Sequence, residues 1–306
     1  MKRAQGLILA AMLATGATAS AGMSAFENWN LVVRNDVTLS TSEVDGSALI
    51  GGSLLGGTSN YTVQGVTASN GDGLAIGGLL DSDVTVNINN GGNFRIGSLA
   101  NMQGTVNLNG GGLTITDPTT AATAASIVDS AVGVSAYLST LTANGNLDGA
   151  GNMNAAPVMI GGQNVAVYEI TQAQFNGLGQ LNLNFGAADS VIINFIHDGS
   201  GAVDLTAPPN IIGGFNQANS SRIMWNFADA TSITVNNSFN GAMLGTEAAL
   251  TINGGGVNGT VIVDSIALQN AEIRRHTYDG FIPAPGAVSL MAMGGIVAAR
   301  RRRTAA

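Results

Sequence analysis

Residues 238–268 read SFNGAMLGTEAALTINGGGVNGTVIVDSIAL and state one pattern twice. Phe239-Asn240-Gly241-Ala242 recurs eighteen residues later as Val257-Asn258-Gly259-Thr260, and Ile233, Leu250 and Ile266 follow at steps of seventeen and sixteen. The phrase returns upstream as Val44-Asp45-Gly46-Ser47 and, more weakly, as Met102-Gln103-Gly104-Thr105. Each copy is an apolar residue, an amide or acid, Gly, a small residue and then a short apolar run. So short a period excludes helical repeats and propeller blades, and it fits one coil of a parallel β-helix. Asn-Gly and Asp-Gly supply the corners, because Gly takes positive φ freely and Asn and Asp tolerate it. A coil buries its inward residues only against the coils above and below, so the repeat predicts how the core is built. On this reading Gly241 and Gly259 stack, and corner asparagines form ladders in which each amide bonds the next.

The rest of the chain carries the same alternation. Val37-x-Leu39, Val84-x-Val86-x-Ile88, Phe94-x-Ile96, Val106-x-Leu108, Leu113-x-Ile115, Val165-x-Val167 and Leu181-x-Leu183 are strands with one buried face. Val191-Ile192-Ile193-Asn194-Phe195 and Ile223-Met224-Trp225-Asn226-Phe227 read as parallel strands buried on both faces. One segment breaks the texture. After Asp117-Pro118, Ala124, Ile127, Ala131, Val134, Leu138 and Leu141 recur at helical steps, which predicts one helix over 118–143. Asp117 is placed to cap its start, and Asn144-Gly145 to end it.

The ends differ from the middle. Lys2 and Arg3, an uncharged and mostly apolar run to Thr18, and two small-x-small sites around Ala19 and Ala21 read as a signal peptide over 1–21. The predicted domain follows over 22–280 and a sorting segment over 281–306. That last segment holds Pro283, Ala284 and Pro285, an uncharged span to Ala299, and Arg300, Arg301, Arg302 and Arg303. A span closed by arginines stops in a membrane with the arginines on the cytoplasmic side. Its layout resembles a PEP-CTERM signal, although Ala284 stands where Glu is usual. The resemblance implies an exosortase-like sorting enzyme as partner, transient passage through the inner membrane via 281–299, and a chain exported to the cell surface or beyond. A plain tail anchor is the simpler alternative.

Without both ends, five arginines remain against nineteen carboxylates, a net charge of −14, which disfavours nucleic acid as a partner. The absence of Cys neither supports nor excludes export. Asp81 with Asp83, and Asp198 with Asp204, could share a cation, but neither pair has the ligands calcium needs. No metal site is therefore assigned. His197 and His276 have no Ser or Cys at catalytic spacing. The glycine runs at 110–112 and 254–256 lack the Lys of a phosphate loop and read as corners. No catalytic residue and no cofactor site is legible, and the reading is of a non-enzyme.

Three blocks add a family resemblance: DSVIINF at 189–195, RIMWNFADATSITV at 222–235 and FNGAMLGTEAALTINGGGVNGTVIV at 239–263. With LVVRNDVTLSTSEVDGSALIGGSL at 31–54 they resemble the choice-of-anchor A domain. That implies a bacterial surface or extracellular-matrix protein, structural or adhesive, with exopolysaccharide as a possible partner. A looser similarity in layout, strands then a long helix then these blocks, is to bacterial ice-binding proteins. It implies a right-handed parallel β-helix with one long helix packed alongside. The alternative functions are therefore an ice- or carbohydrate-binding module and, behind it, a polysaccharide-active enzyme. Ice binding requires a flat face of Thr, Ser or Ala on successive coils, for which Thr234, Thr251 and Thr260 are the candidates.

Overall fold

Alternation with a period of two turns each short run into a strand with one face inward, and parallel pairing stacks the runs. The computed structural model describes residues 25–283. Among them, strands form one fifteen-stranded sheet, one of seven strands and one of four. Nearly every pairing is parallel; Val158–Ile160 on Gln163–Thr171 and Asn146–Leu147 on Asn152–Asn154 are the antiparallel exceptions.

Successive coils bend at their corners, so the chain presents three faces. On the first lie, in spatial order, Thr114–Thr116, Asn93–Ile96, Asp72–Ile76, Ala48–Ile50, Leu31–Val33, Val261–Gln269, Ala242–Asn253, Ile223–Asn226, Ser190–Ile196 and Gln163–Thr171. The second, here called the open face, continues the longer of these strands past their bends. It aligns Ala202–Leu205, Ser232–Val235, 249–253, 265–269, Val37–Leu39 and Leu54–Gly56. The third runs from Thr105–Leu108 through Thr85–Ile88, Thr58–Tyr61, Ser42–Val44, Glu272–Arg274 and Gly256–Asn258 to Phe239–Asn240. Between the faces lies a single apolar core. In it Trp225, fully buried, sits between Phe215 and Phe239 with ring centroids 5.4 and 4.6 Å away and donates Nε1–H to the Asn240 carbonyl at 3.0 Å.

Spatial order is not chain order. The first strand, Leu31–Val33, lies inside the stack, between Ala48–Ile50 and Val261–Gln269. Coils from residue 31 to 116 grow away from it in one direction. Those from 146 onward approach it from the other, and the chain closes on its own beginning.

The connection between the two halves is helix α1, Thr120–Ser139. Asp117 accepts from Thr119 N–H at 2.9 Å and takes Arg95 Nη1 at 3.1 Å, while Arg95 Nε also bonds buried Asp72 at 2.6 Å. These contacts fix where the helix starts. The helix ends sooner than the sequence suggests. Thr140 is its C-cap, and Asn144 instead docks on the sheet, accepting from Val167 N–H at 2.8 Å and donating to the Val165 carbonyl at 3.1 Å. The side-chain amide finds better partners in a strand than in a cap.

Ala124, Ile127, Val128, Ala131, Val134 and Leu138 of α1 cluster with Val32, Leu49, Ala75, Ile192, Met224, Leu244 and Ile262 on the first face. This explains why 190–195 and 223–226 are buried throughout: one side meets the core and the other meets α1. Close approach is permitted by Gly77, where a Cβ would stand 2.6 Å from the Ala121 Cβ. Below the last turns two amides face the helix. Asn226 Nδ2 donates to the Ser135 carbonyl at 3.0 Å and to Asn194 Oδ1 at 2.9 Å, and Asn194 Nδ2 donates to the Leu138 carbonyl at 2.8 Å. By length and hydropathy α1 would pass as a membrane span, but its apolar side lies on the sheet.

The repeat register holds in its main copies. Ile233, Leu250 and Ile266 are cross-strand neighbours, and Phe239 pairs with Val257, which pairs with Ile273 beside Val44. Met102-Gln103-Gly104-Thr105 is out of phase: Met102 bridges Leu80 on the open face, and the third-face strand begins only at Thr105.

Candidate functional site

Bending each coil leaves the open face uncovered, and pleating sends alternate residues outward. Cross-strand pairing then sets those residues in ranks. One rank is Ala202, Ser232, Ala249 and Ser265. The next is Asp204, Thr234, Thr251, Ala267, Thr38 and Leu55. Beyond them Asn253 Nδ2 donates to Asn236 Oδ1 at 3.0 Å. The inward partners, including Ile233, Leu250, Ile266, Val37 and Leu54, are buried, so the face rests on a close-packed layer and cannot dish inward. Neighbours stand about 4.8 Å apart across strands and about 6.8 Å apart along them. The result is a lattice of methyl and hydroxyl groups, with Asp204 at the end of one rank, exposed Glu247 beside the other, and exposed Asp36 continuing that other rank next to Ser265.

Of the three threonines expected on such a face, Thr234 and Thr251 are direct partners on it. Thr260 is not there. It is fully buried, donating Oγ1–H to the Phe26 carbonyl at 3.0 Å and accepting from Tyr278 N–H at 3.1 Å. Its place after a corner glycine puts it under the N-terminal turn, and a motif based on spacing alone could not separate the two environments. Ser232 and Ser265 complete one rank and Thr38 extends the other; of these only Thr38 comes from a strand far away in sequence, which a repeat spacing does not reach.

The third face also carries hydroxyls, Thr58, Thr85 and Thr105 in one rank. Beside them runs an amide ladder, Asn107 to Asn87 at 2.9 Å and Asn87 to Asn60 at 3.1 Å. A second ladder joins Asn258 to Asn240 at 2.8 Å. Between the ladders, however, Glu43 pairs with Glu272, with Asp45 and Arg274 alongside. Charge therefore interrupts this face midway, whereas the ranks of the open face from Ala202 to Ser265 and from Thr234 to Leu55 carry no charged residue.

Three of the four acids considered as cation ligands, Asp81, Asp198 and Asp204, close turns instead. Asp198 bonds Ser200 N–H at 3.0 Å and Asp204 bonds Thr206 N–H at 2.9 Å. Bonds from the Ser200 and Thr206 side chains and backbone hold both carboxyls below the usual range. Asp81 accepts from Ser82 N–H at 2.7 Å. Among the described residues no three His, Asp or Glu side chains converge to hold a metal. His197 Nδ1 accepts from Gly199 N–H at 2.9 Å, and burial lowers the His276 pKa against the opposing effect of Asp45. Pro283 is buried at the end of the described residues; Ala284, Pro285 and Arg300 to Arg303 lie outside them, as does the segment 1–21 read from the sequence as a signal peptide.

Residues 22–275 match the family model described as "Putative Ice-binding-like adhesive domain". Solved structures with a similar chain path include an ice-binding protein from the Antarctic ascomycete Antarctomyces psychrotrophicus. That pair is 12% identical, covers 82% of this chain and 95% of that one, and has a TM-score of 0.40. An ice binding protein from an Antarctic Biological Consortium is 14% identical over 81% of this chain and 87% of that one, with a TM-score of 0.31. An ice binding protein from an Antarctic bacterium, Flavobacteriaceae, is 13% identical over 79% of each chain, with a TM-score of 0.31. No curated protein sequence matches. The family match overturns the resemblance to choice-of-anchor A, and nothing in these matches supports a PEP-CTERM signal. The reason is physical. Blocks such as VIINF and IMWNF are what a strand packed between core and helix requires, so they report architecture and not the mode of anchoring.

Proposed function

The chain belongs to the ice-binding-like adhesive domain family, and from that premise we propose an exported, non-enzymatic module that adheres to ice through its open face. Its coils form a right-handed solenoid, with α1 lying alongside. Right-handed crossovers are the rule for parallel strands whose connections return on one side of a sheet.

The observation that carries the reading is the register Thr234–Thr251–Ala267–Thr38, with Ser232–Ala249–Ser265 beside it. Ice is uncharged and periodic, and each of its oxygens offers a hydrogen bond. A matching surface must be flat, must repeat, and must hold its hydroxyls without long flexible stems. Threonine meets the last condition because its β-branch restricts χ1 and its methyl adds apolar contact. Since the lattice is set by backbone pairing, binding orders few side chains and loses little entropy. Adhesion of this kind needs no pocket and no cofactor.

The test is ice-affinity partition and thermal hysteresis with T234Y and T251Y. Both positions point outward, so the fold is expected to be retained while an aromatic ring breaks the plane. Loss of partition with unchanged thermal unfolding supports the assignment. Full partition by both variants, or no partition by the parent chain, removes it.

A further inference from the structure

The two ends of the stack are built differently. At one end Val158–Ile160 and Asn146–Leu147 fold back as antiparallel strands over the last coil, each paired along one edge. The other end, residues 99–116, has no such fold-back among the described residues. Thr105–Leu108 pairs only with Thr85–Ile88, and Thr114–Thr116 only with Asn93–Ile96. Both strands therefore leave a row of backbone N–H and C=O groups open, the arrangement that invites another strand. The inward residues Val106 and Leu108 are only half-buried, whereas Val86 and Ile88, one coil in, are fully buried. Among the described residues, three of the six large exposed apolar side chains lie on this one coil, Leu113 at 66%, Leu99 at 56% and Met102 at 37%, and two, Val158 and Met159, at the other end.

Charge completes the picture. The described residues carry five arginines against nineteen carboxylates, so two copies repel over most of their surface, yet Ile96 to Thr116 contains no charged residue. Copies can meet here without opposing charge.

We propose that this coil is a homodimer interface, joining two copies end to end about a two-fold axis. A lone peptide strand could satisfy one open edge; a second copy offers the same closed outline and satisfies both. An axis through the middle of the side bearing Leu99–Asn101, perpendicular to the stack, reverses strand direction. It lays Thr105–Leu108 of one copy antiparallel to Thr114–Thr116 of the other, twice over. The same axis passes the corner at 109–113, so Leu113 meets its own copy, and the half-buried Val106 and Leu108 become core. The open faces of the two copies then lie on the same side, which lengthens the adhesive plane. The dimer itself does not rest on what that plane binds.

The full chain is to be measured by light scattering across a dilution series, beside L99K/L113K. These side chains are exposed, so unchanged thermal unfolding is expected, with the dimer mass reduced to that of a monomer. Because the chain has no Cys, L113C provides a geometric probe: oxidation is expected to give a covalent dimer, while M159C, equally exposed at the opposite end, stays monomeric. A parent chain that is monomeric at every concentration overturns the proposal. So does a dimer indifferent to L99K/L113K, or M159C crosslinking as readily as L113C.

Discussion

Leu31 and Val261 are cross-strand partners, and that pair seals the stack where the chain's beginning meets its last coils. Everything between them must be in place before the seam can form, so the contact has a large loop-closure cost and few local substitutes. Leu31 is fully buried. Leu31→Ala is expected to lower stability by about 2–5 kcal/mol and to raise amide exchange first in 31–33 and 261–263. Denaturant unfolding with hydrogen exchange checks this; protection lost first at either end of the stack would contradict it.

Gly241 and Gly259 do stack in adjacent coils, but only Gly241 has positive φ, at 117°. What excludes a side chain at Gly259 is space: a Cβ there would lie 2.4 Å from the Gly241 carbonyl oxygen. Gly111 is the reverse case, with φ of 97° and nothing within 4 Å of where a Cβ would stand. Gly259→Ala should cost about 1–3 kcal/mol through overpacking of a backbone that cannot yield. Gly111→Ala should cost about 1 kcal/mol through its backbone conformation alone. Gly111→Asn should recover part of that loss, since Asn tolerates this region, and Gly259→Asn should recover nothing. Thermal unfolding of the four variants measures this, and equal rescue at both sites would defeat the distinction.

The coil was legible because its two determinants are local. Inward positions alternate, and corners need Asn-Gly or Asp-Gly. The helix was legible for the same reason, since its apolar step is read within one segment. Its C-terminus was misplaced because Asn144 is held by Val165 and Val167, partners that a helical pattern does not contain. The order of coils was not legible. Nothing in Leu31-Val32-Val33 says that its neighbour is Val261 as well as Ala48, because apolar strands of equal length are interchangeable until the whole stack closes. The open face was half legible for the same reason: Thr234 and Thr251 lie one repeat apart, whereas Thr38 joins the rank only through the seam.

Under α1, Asn226 is nearly fully buried and all its polar atoms are used, with Ser135 Oγ–H donating to its Oδ1 at 2.6 Å. Removing it takes away the acceptor of Ser135 Oγ–H and the donor to Asn194 Oδ1 beneath the helix. Asn226→Ala should destabilise by about 1–3 kcal/mol. Ser135→Ala should cost less, since it leaves only one acceptor short. A double-mutant cycle between them should return a coupling of about 0.5–3 kcal/mol. Additive effects would mean that the amides fill space without fixing the helix.

Glu43 gives a prediction in pH. Burial chiefly, then the charges of Asp45 and Glu272, raise its pKa, and Arg274 only partly offsets them. A carboxyl whose folded pKa lies above its unfolded value favours the native state below the unfolded pKa. That contribution disappears as pH rises through the folded value, and at neutral pH the ionised group opposes folding. Glu43→Gln keeps the shape and removes the charge. It should stabilise by up to about 1 kcal/mol at neutral pH, the range for partly screened surface charges, and the gain should fade as pH falls and the parent residue takes up its proton. Asp117, Asp148, Asp198 and Asp204 act in the opposite sense. Hydrogen bonds lower their pKa values, so their contribution is present above the unfolded pKa and lost as pH falls through the folded ones. The parent chain should thus lose stability in acid while Glu43→Gln and parent converge. Thermal unfolding at stepped pH measures both; a Glu43→Gln gain that persists undiminished into acid would show that repulsion at Glu43 is not its source.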